Sequence, residues 1–491
     1  MITVSVINAP LKEVYVLRHI ILSFAFVASI VNANDTVEKK TINEQLIETA
    51  LTSRHALDIL TDLTTNIGPR LPGTEADLRT VAWAENLLTS QGFDRVYKQP
   101  VRVPAWKRGI ANASIVSPAP QALIISALGH SVGTPEGGIT APVVRVSSLA
   151  ALSEISARAV KGHIVFIDHK MERHRAGKYY REVVGGRSNG ASIAATKGAV
   201  GLLIRSIGTD SDRFAHTGMM LYDVKKPRIP SAALSAPDAD QLTRLLTQHG
   251  KVTLNFELGS EHLESAISYN VIAEYDGAKF PEQYVLVGAH HDSWDEGTGA
   301  LDDGAGIAIV TAAAKQIIDL PDRPKRGVRV VLYAAEELGL VGAKAYAREN
   351  ADDLHNIYLA SESDFGAGEI WKLDTRFSDA LSALSKKLLK ELAPLNIEAG
   401  HNKATGGPDT SVLVNKGVPA LTLLQDGTDY FDFHHTPNDT LDKVSPEALK
   451  QNVAAWSVML WTTTNSDAEL RPISLKKTQR VEAKELSTPQ Q

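Results

Sequence analysis

Cysteine is absent from all 491 residues. That absence excludes a disulfide scaffold, thiolate zinc fingers and a cysteine nucleophile together. A basic excess is absent too: 51 Lys plus Arg stand against 57 Asp plus Glu, for a net charge of −6. A general nucleic-acid binder would show the opposite balance, so nucleic acid is not expected as a partner. No His-Glu-x-x-His occurs and no internal repeat is visible, which removes the zincin arrangement. Nor does any apolar run approach the roughly 20 residues that cross a bilayer. The stretch Ile20 to Val31 is 12 uncharged residues preceded by Arg18 and His19. It suits the apolar core of an export signal, and Val31-Asn32-Ala33 offers small residues for cleavage. Residues 1–33 are therefore expected to be a signal peptide, with translation starting later than Met1. The mature product is expected to be exported, secreted or periplasmic, and free of the membrane. What is present is ordinary globular composition, 43% apolar and 22% charged, long enough for two or three domains.

Apolar residues at helical spacing (Leu46, Ile47, Ala50, Leu51, Leu57, Leu60, Leu63) predict helix over 43–66. Gly68-Pro-Arg-Leu-Pro-Gly73 stops that pattern, and a second helix is predicted from Ala76 to a Gly92 cap. Strand-like runs follow at 95–103 and 122–125; beyond them, short strands at 142–146, 163–167, 201–204, 227–233 and 251–256, with helical stretches at 191–198 and 238–248, outline a self-contained α/β unit in the middle of the chain. Beyond it, Tyr284–Ala289 and Gly327–Ala334 are nearly unbroken apolar strands flanking a helix pattern at 304–318. Such runs are expected where helices cover both faces of a sheet, and strand–helix–strand order implies a parallel crossover. The tail after Leu470 is polar and rich in Lys and Glu.

Chemistry-bearing residues fall at the ends of these strands. After Val287-Gly-Ala come His290 and Asp292, two apart and so facing the same way on an extended backbone. A carboxylate beside a histidine orients the ring and fixes its tautomer, which counts Asp292 with the catalytic residues. Asp302 follows His290 by 12 residues, in Asp-Asp-Gly before a helix. Glu336 and Glu337 end the next apolar strand, Asp364 follows the strand Asn356–Ala360, and His434-His435 follows the strand Ala420–Leu424. Imidazoles and carboxylates closing successive strands of one sheet are what a dinuclear site for a borderline-soft metal requires, with one Glu of the pair left free as a general base.

In this order, His-His-Asp-Ser-Trp-Asp, Gly-Ala-Leu-Asp-Asp-Gly, Ala-Ala-Glu-Glu, Ser-Glu-Ser-Asp and Phe-His-His-Thr-Pro-Asn-Asp-Thr, with Gly68-Pro-Arg-Leu-Pro-Gly-Thr74 upstream, the sequence resembles the co-catalytic two-zinc exopeptidases of the aminopeptidase Y and glutamate carboxypeptidase type. Its wording is most similar to the carboxypeptidase Q branch. The resemblance implies an α/β fold with a mixed, mostly parallel central sheet and helices on both faces. The catalytic part would comprise 34–127 and 263–470, interrupted by a smaller protease-associated α/β domain at 128–262, with a polar tail at 471–491. It implies two zinc ions per chain: Asp302 bridging, His290 and Asp364 completing one set of ligands, Glu337 and His435 the other. Glu336 would be the general base and His434 a substrate or oxyanion contact. Within the doublet, Thr436, Asp439 and Thr440 fit the spacing that follows the ligand histidine in the family, which favours His435. Cobalt or manganese suits the same donors. A homodimer is expected from the branch.

Peptides are the implied substrates: dipeptides and short peptides with free ends first, longer chains cut by a general aminopeptidase second. Glu362 and Asp295 would receive an α-amino group, and Lys403 or Arg376 a carboxylate. Three rivals compete. Gly186-Arg-Ser-Asn-Gly190 matches a serine-hydrolase elbow with Ser188 as nucleophile, preceded by strand-like Tyr180–Val184. A cyclase on a similar fold would use one zinc, and a non-catalytic scaffold none.

Overall fold

The structure, a computed structural model, describes residues 40–473, so the expected signal segment and most of the polar tail lie outside the described residues. Sixteen strands are described: β1 (Arg95–Lys107), β2 (Ala111–Ser117), β3 (Gln121–Leu123), β4 (Ile125–Ala127), β5 (Ile139–Val146), β6 (Ile164–Ile167), β7 (Gly201–Arg205), β8 (Ser231–Leu234), β9 (Thr253–Leu258), β10 (Glu261–Tyr275), β11 (Phe280–His290), β12 (Arg326–Tyr333), β13 (Ile357–Glu362), β14 (Ile370–Arg376), β15 (Glu398–Ala399) and β16 (Ala420–Gln425). They form two eight-stranded sheets.

The first sheet runs β1-β10-β12-β11-β13-β16-β14-β15. Its centre, β12-β11-β13-β16, is parallel, and its flanks are mixed. Alternation along the central strands shows why they read as unbroken apolar runs. Val285, Val287 and Ala289 of β11 join one core with Val328, Val330 and Leu332 of β12, while Tyr284, Leu286, Val331 and Tyr333 join another. Opposite faces of one strand bury into different cores because successive side chains point opposite ways. The helices Ala305–Ile318 and Pro446–Thr464 pack on each other and on the first of these faces. The mixed α/β sheet covered on both sides is therefore present as expected.

The second sheet runs β3-β2-β9-β5-β6-β7-β8-β4, parallel from β5 to β8. It draws on residues 111–258, so β2 to β4 belong to it, although the boundary read from sequence leaves them with 34–127. The strands involved are short and weakly apolar, which hides the crossing point. The chain passes between the sheets along β1 and β10, paired antiparallel from Arg95–Glu274 out to Lys107–Glu261. Gly109 and Gly259 lie where this ladder enters the second sheet. Gly109 has a φ of +67°, and a Cβ there would run into the Gly259 carbonyl.

Two local readings change. The single helix predicted over 43–66 is two helices, Ile42–Thr52 and His55–Asn66. Ser53 between them is extended, and its hydroxyl accepts from the His55 N–H at 3.1 Å. Tyr180–Val184 is not a strand but the start of a helix, Tyr180–Thr196, packed on β6 and β7. Gly190 lets that helix approach, since a Cβ there would meet Ile167 Cδ1 at 2.9 Å.

The turn after the second helix inserts Arg70, fully buried, beneath the segment that follows β11. Its Nε donates to the His291 carbonyl at 2.7 Å, Nη1 to Thr298 at 2.7 Å and Nη2 to Gly299 at 2.8 Å. One planar guanidinium thus ties both ends of loop 291–299. Arg70→Met should lower unfolding stability by about 3 kcal/mol or more, because each buried carbonyl left unpaired costs ~1–3 kcal/mol. Arg70→Lys should recover only part, since an ammonium cannot fan out to three carbonyls. Denaturant unfolding checks both; an unchanged midpoint for Arg70→Met would mean that the loop is held by other contacts.

Candidate active site

The parallel strands deliver their functional residues to one edge of the first sheet, where such sheets place their sites. His290 ends β11, Glu336 and Glu337 follow β12, and Asp364 follows β13. Asp302 sits in the turn Ala300–Gly304 ahead of the helix Ala305–Ile318. His434 and His435 follow the short helix Tyr430–Phe433.

Asp302 lies between two groups. Its Oδ1 is 3.0 Å from His290 Nε2, which is also 3.6 Å from Asp364 Oδ1. Its Oδ2 is 3.3 Å from His435 Nε2, which is 3.1 Å from Glu337 Oε2. The ring of His434 stacks on that of His435 with centroids 3.5 Å apart, and its Nε2 is 3.8 Å from Asp302 Oδ2. Donor atoms of His290, Asp302 and Asp364 lie within 4.8 Å of one another, as do those of Asp302, His434 and His435. Proximity alone thus admits either histidine on the second side. The shorter approach to Asp302, and Glu337 on the same nitrogen, distinguish His435.

Burial and charge separate the pair further. Burial works against charge on His435, but Glu337 and Asp302 outweigh it and push its pKa up to about 9. Burial and the neighbouring His435 hold His434 well below the ordinary histidine value. His290 behaves like His435: burial opposes its charge, yet Asp364, Asp292 and Asp302 raise it well above normal. Asp302 is desolvated but kept well below the usual carboxylate range by hydrogen bonds from His290 and His435. Burial lifts Glu336, Glu337 and Asp364 above theirs. The cluster is thus a low-dielectric pocket in which positive charge is strongly favoured at two places.

Supporting residues hold these groups in place. Asp292 is fully buried and lies 3.5 Å from His290 Nδ1, and its two oxygens accept from the backbone N–H groups of Glu336 and Glu337 at 3.0 and 3.2 Å. Asp292 therefore orients both the histidine and the Glu pair. Asp439 accepts from the N–H groups of Leu301 and Asp302 at 2.6 and 3.2 Å and so fixes the Asp302 turn. Its role is missed in the sequence, although it falls within the motif around His435. The second sheet's unit contributes as well. The Thr217 N–H donates to the His435 carbonyl at 3.0 Å, and the Thr217 carbonyl lies 3.3 Å from His435 Nδ1. A carbonyl only accepts, so Nδ1–H of His435 is the donor in that contact.

The cleft above the cluster has a volume of about 370 Å³. Asp302, Glu336, Glu337, Asp364, His434 and His435 line it from one side, Tyr180, Arg187, Ser188 and Met219 from the other. Four expected contributors are elsewhere. Asp295 is paired with Arg108, and the buried Glu362 accepts from the Thr410 N–H at 2.9 Å. Arg376 donates to the Ala404 carbonyl at 2.6 Å, and Lys403 does not line the cleft. Ser188 faces the cleft from mid-helix, not from a strand-to-helix turn, so it has no elbow geometry.

Residues 270–460 match the family "Peptidase family M28". Carboxypeptidase Q of Xenopus laevis is 37% identical over 404 residues, covering 82% of this chain and 84% of that protein. A solved peptidase M28 precursor from Shewanella amazonensis superimposes with a TM-score of 0.87 at 55% identity, over 89% of this chain and 98% of that one. A zinc aminopeptidase from Bacillus subtilis shares the fold, with a TM-score of 0.60 at 21% identity over 84% and 93% of the two chains. With relatives this similar over most of its length and peptidase chemistry gathered at its strand ends, the chain belongs to peptidase family M28 and is a metallopeptidase.

Proposed function

We propose that this chain hydrolyses dipeptides and short peptides with free ends, in an exported compartment, with two zinc ions held by the strand-end cluster. The observation that carries this reading is Asp302, whose two oxygens face two separate His-plus-carboxylate groups. The residues fit the metal: Glu337 Oε1 is buried without a hydrogen-bond partner, and imidazole and carboxylate are zinc donors. The Bacillus subtilis relative is itself a zinc aminopeptidase. His290, Asp302 and Asp364 would hold one ion, and Asp302, Glu337 and His435 the other. Zinc there supplies a polarised carbonyl and a water of lowered pKa.

The chain's own residues supply the rest. Glu336 lines the cleft beside the cluster, while Glu337 turns to His435. One backbone step thus divides the pair into base and ligand. Glu336 takes the proton from the attacking water and returns it to the departing amine nitrogen as the peptide C–N bond breaks. Burial and the neighbouring His435 hold the pKa of His434 down, and its Nδ1 has no hydrogen-bond partner among the described residues, which leaves that nitrogen free for a substrate contact. The apolar run at 20–31 supports export.

Metal analysis of active protein should find close to two ions per chain; a reproducible value of one or less would sink the reading. Glu336→Gln should keep both ions and lose turnover by about 10²–10⁴-fold, whereas Glu337→Gln and His435→Ala should lose metal and His434→Ala should only slow the reaction. Glu336→Gln turning over within tenfold of wild type would reverse the division of labour. For substrate, mass spectrometry of free and acetylated dipeptides and a ten-residue peptide is decisive. Acetylation should abolish cleavage and the long peptide should be cut poorly; efficient cutting of the long peptide would favour a general aminopeptidase.

A further inference from the structure

Two consecutive residues of the second sheet's unit hold the two consecutive carbonyls of the histidine doublet. The Thr217 N–H donates to the His435 carbonyl at 3.0 Å, and His216 Nδ1 donates to the His434 carbonyl at 2.8 Å. Thr217 thereby serves the histidine proposed as a metal ligand, whereas the proposed chemistry does not use His216. The His216 ring is 1% exposed and braced from behind, with Nε2 2.5 Å from Asp210 Oδ2. A carbonyl only accepts, so Nδ1 carries a hydrogen, and one proton between Nε2 and Asp210 closes the second bond. The backbone clears the space for this ring: a Cβ on Gly208 would lie 2.3 Å from both its Cε1 and its Nε2. The His216 N–H donates to Ser206 Oγ at 2.9 Å, just past β7, which anchors the residue to its own sheet.

The residue at the far end of this strut has little else to aim it. The His434 ring stacks on His435, with Tyr180, Tyr430 and Phe431 at centroid distances of 5.4, 5.2 and 5.2 Å. Its Nδ1 has no hydrogen-bond partner among the described residues, and its Nε2 is 3.8 Å from Asp302 Oδ2. Where the ring points is therefore set by stacking and by where the backbone places its Cα. The grip between the two sheets' units does not hang on His216. The Thr209 N–H donates to the Phe431 carbonyl at 3.1 Å and its hydroxyl to Asp432 at 2.7 Å. Arg173 pairs with Asp429 and Asp432 at 2.6 and 2.7 Å. With these bonds in place, loss of His216 frees one carbonyl and the ring beside it, not the interface.

We propose that His216, braced by Asp210, is a positioning residue for His434: it fixes the His434 backbone so that the ring lies on His435 with Nδ1 open to substrate. This rests on the reading above in which His434 contacts the peptide. A misplacement of about 1 Å at a reacting centre can cost up to ~100-fold in rate, so one hydrogen bond to a carbonyl is enough to matter. Strut and ring act as one unit, and removing either removes the same contribution. The two losses are then non-additive, as expected for coupled residues.

The test is a double-mutant cycle on Ala-Leu hydrolysis with metal-replete wild type, His216→Gln, His434→Ala and the double variant, metal content being measured for each. Gln reaches Asp210 but has no donor at the Nδ1 position, whereas Asn keeps that donor and stops short of Asp210. His216→Gln should lose about tenfold or more in kcat while keeping its metal, and His216→Asn should recover most of the loss. In the His434→Ala background the same change should cost no more than about twofold. Equal losses in both backgrounds, loss of metal from His216→Gln, or an unchanged kcat would each overturn the assignment. Crystal structures of wild type and His216→Gln give a readout independent of turnover: the His434 ring should leave its stack while His435 stays in place. A ring that does not move overturns the proposal. If the metal-replete protein cleaves no peptide, or His434→Ala is as fast as wild type, the functional reading of that residue falls, and the ring position still decides the strut.

Discussion

Crowding of carboxylates at the ends of β11, β12 and β13 is the constraint that the rest of the site answers. Asp292, Asp302, Glu337 and Asp364 surround His290 and His435 in a region almost closed to water. Burial drives each acid toward neutrality, and like-charged neighbours drive it further. Asp302 escapes by lying between two imidazoles, and Asp292 by lying beside His290 and accepting from two backbone N–H groups. Glu337 and Asp364 each have one imidazole beside them, yet burial outweighs it, and their pKa values rise with that of Glu336. Dications at this place would replace protons on those acids and on the two imidazoles, so metal affinity and pH are coupled by the same arrangement that makes the site costly without metal.

The second sheet's unit is part of this arrangement and not merely a cover. His435 has a left-handed φ of +62°, which costs a residue with a Cβ roughly 1–2 kcal/mol. It is held there by the reciprocal contact with Thr217. His216, one residue earlier, reaches the His434 carbonyl through Nδ1 at 2.8 Å while Asp210 meets its Nε2 at 2.5 Å. A passive lid would need none of these bonds. The neck at Gly109 and Gly259 brings this unit back beside the sheet that it was inserted from, and a candidate ligand of the first sheet is oriented by a carbonyl of the second.

The strand-end residues are legible in the sequence because they follow apolar runs whose length and continuity announce buried parallel strands. His290, Asp302, Glu337, Asp364 and the histidine doublet are all brought together, from positions far apart in the chain. What sequence cannot supply is the partner of each polar group. Glu362 and Asp295 read as cleft acids, yet Glu362 turns one oxygen to the Thr410 N–H, Asp295 pairs with Arg108, and neither lines the cleft. Gly186-Arg-Ser-Asn-Gly190 reads as an elbow because its glycines fit a tight turn, whereas Gly190 serves helix-on-sheet packing. Arg187 is hidden in that same motif. Its neighbour draws attention as a nucleophile, and nothing in one dimension shows that the helix faces a cluster more than 100 residues away.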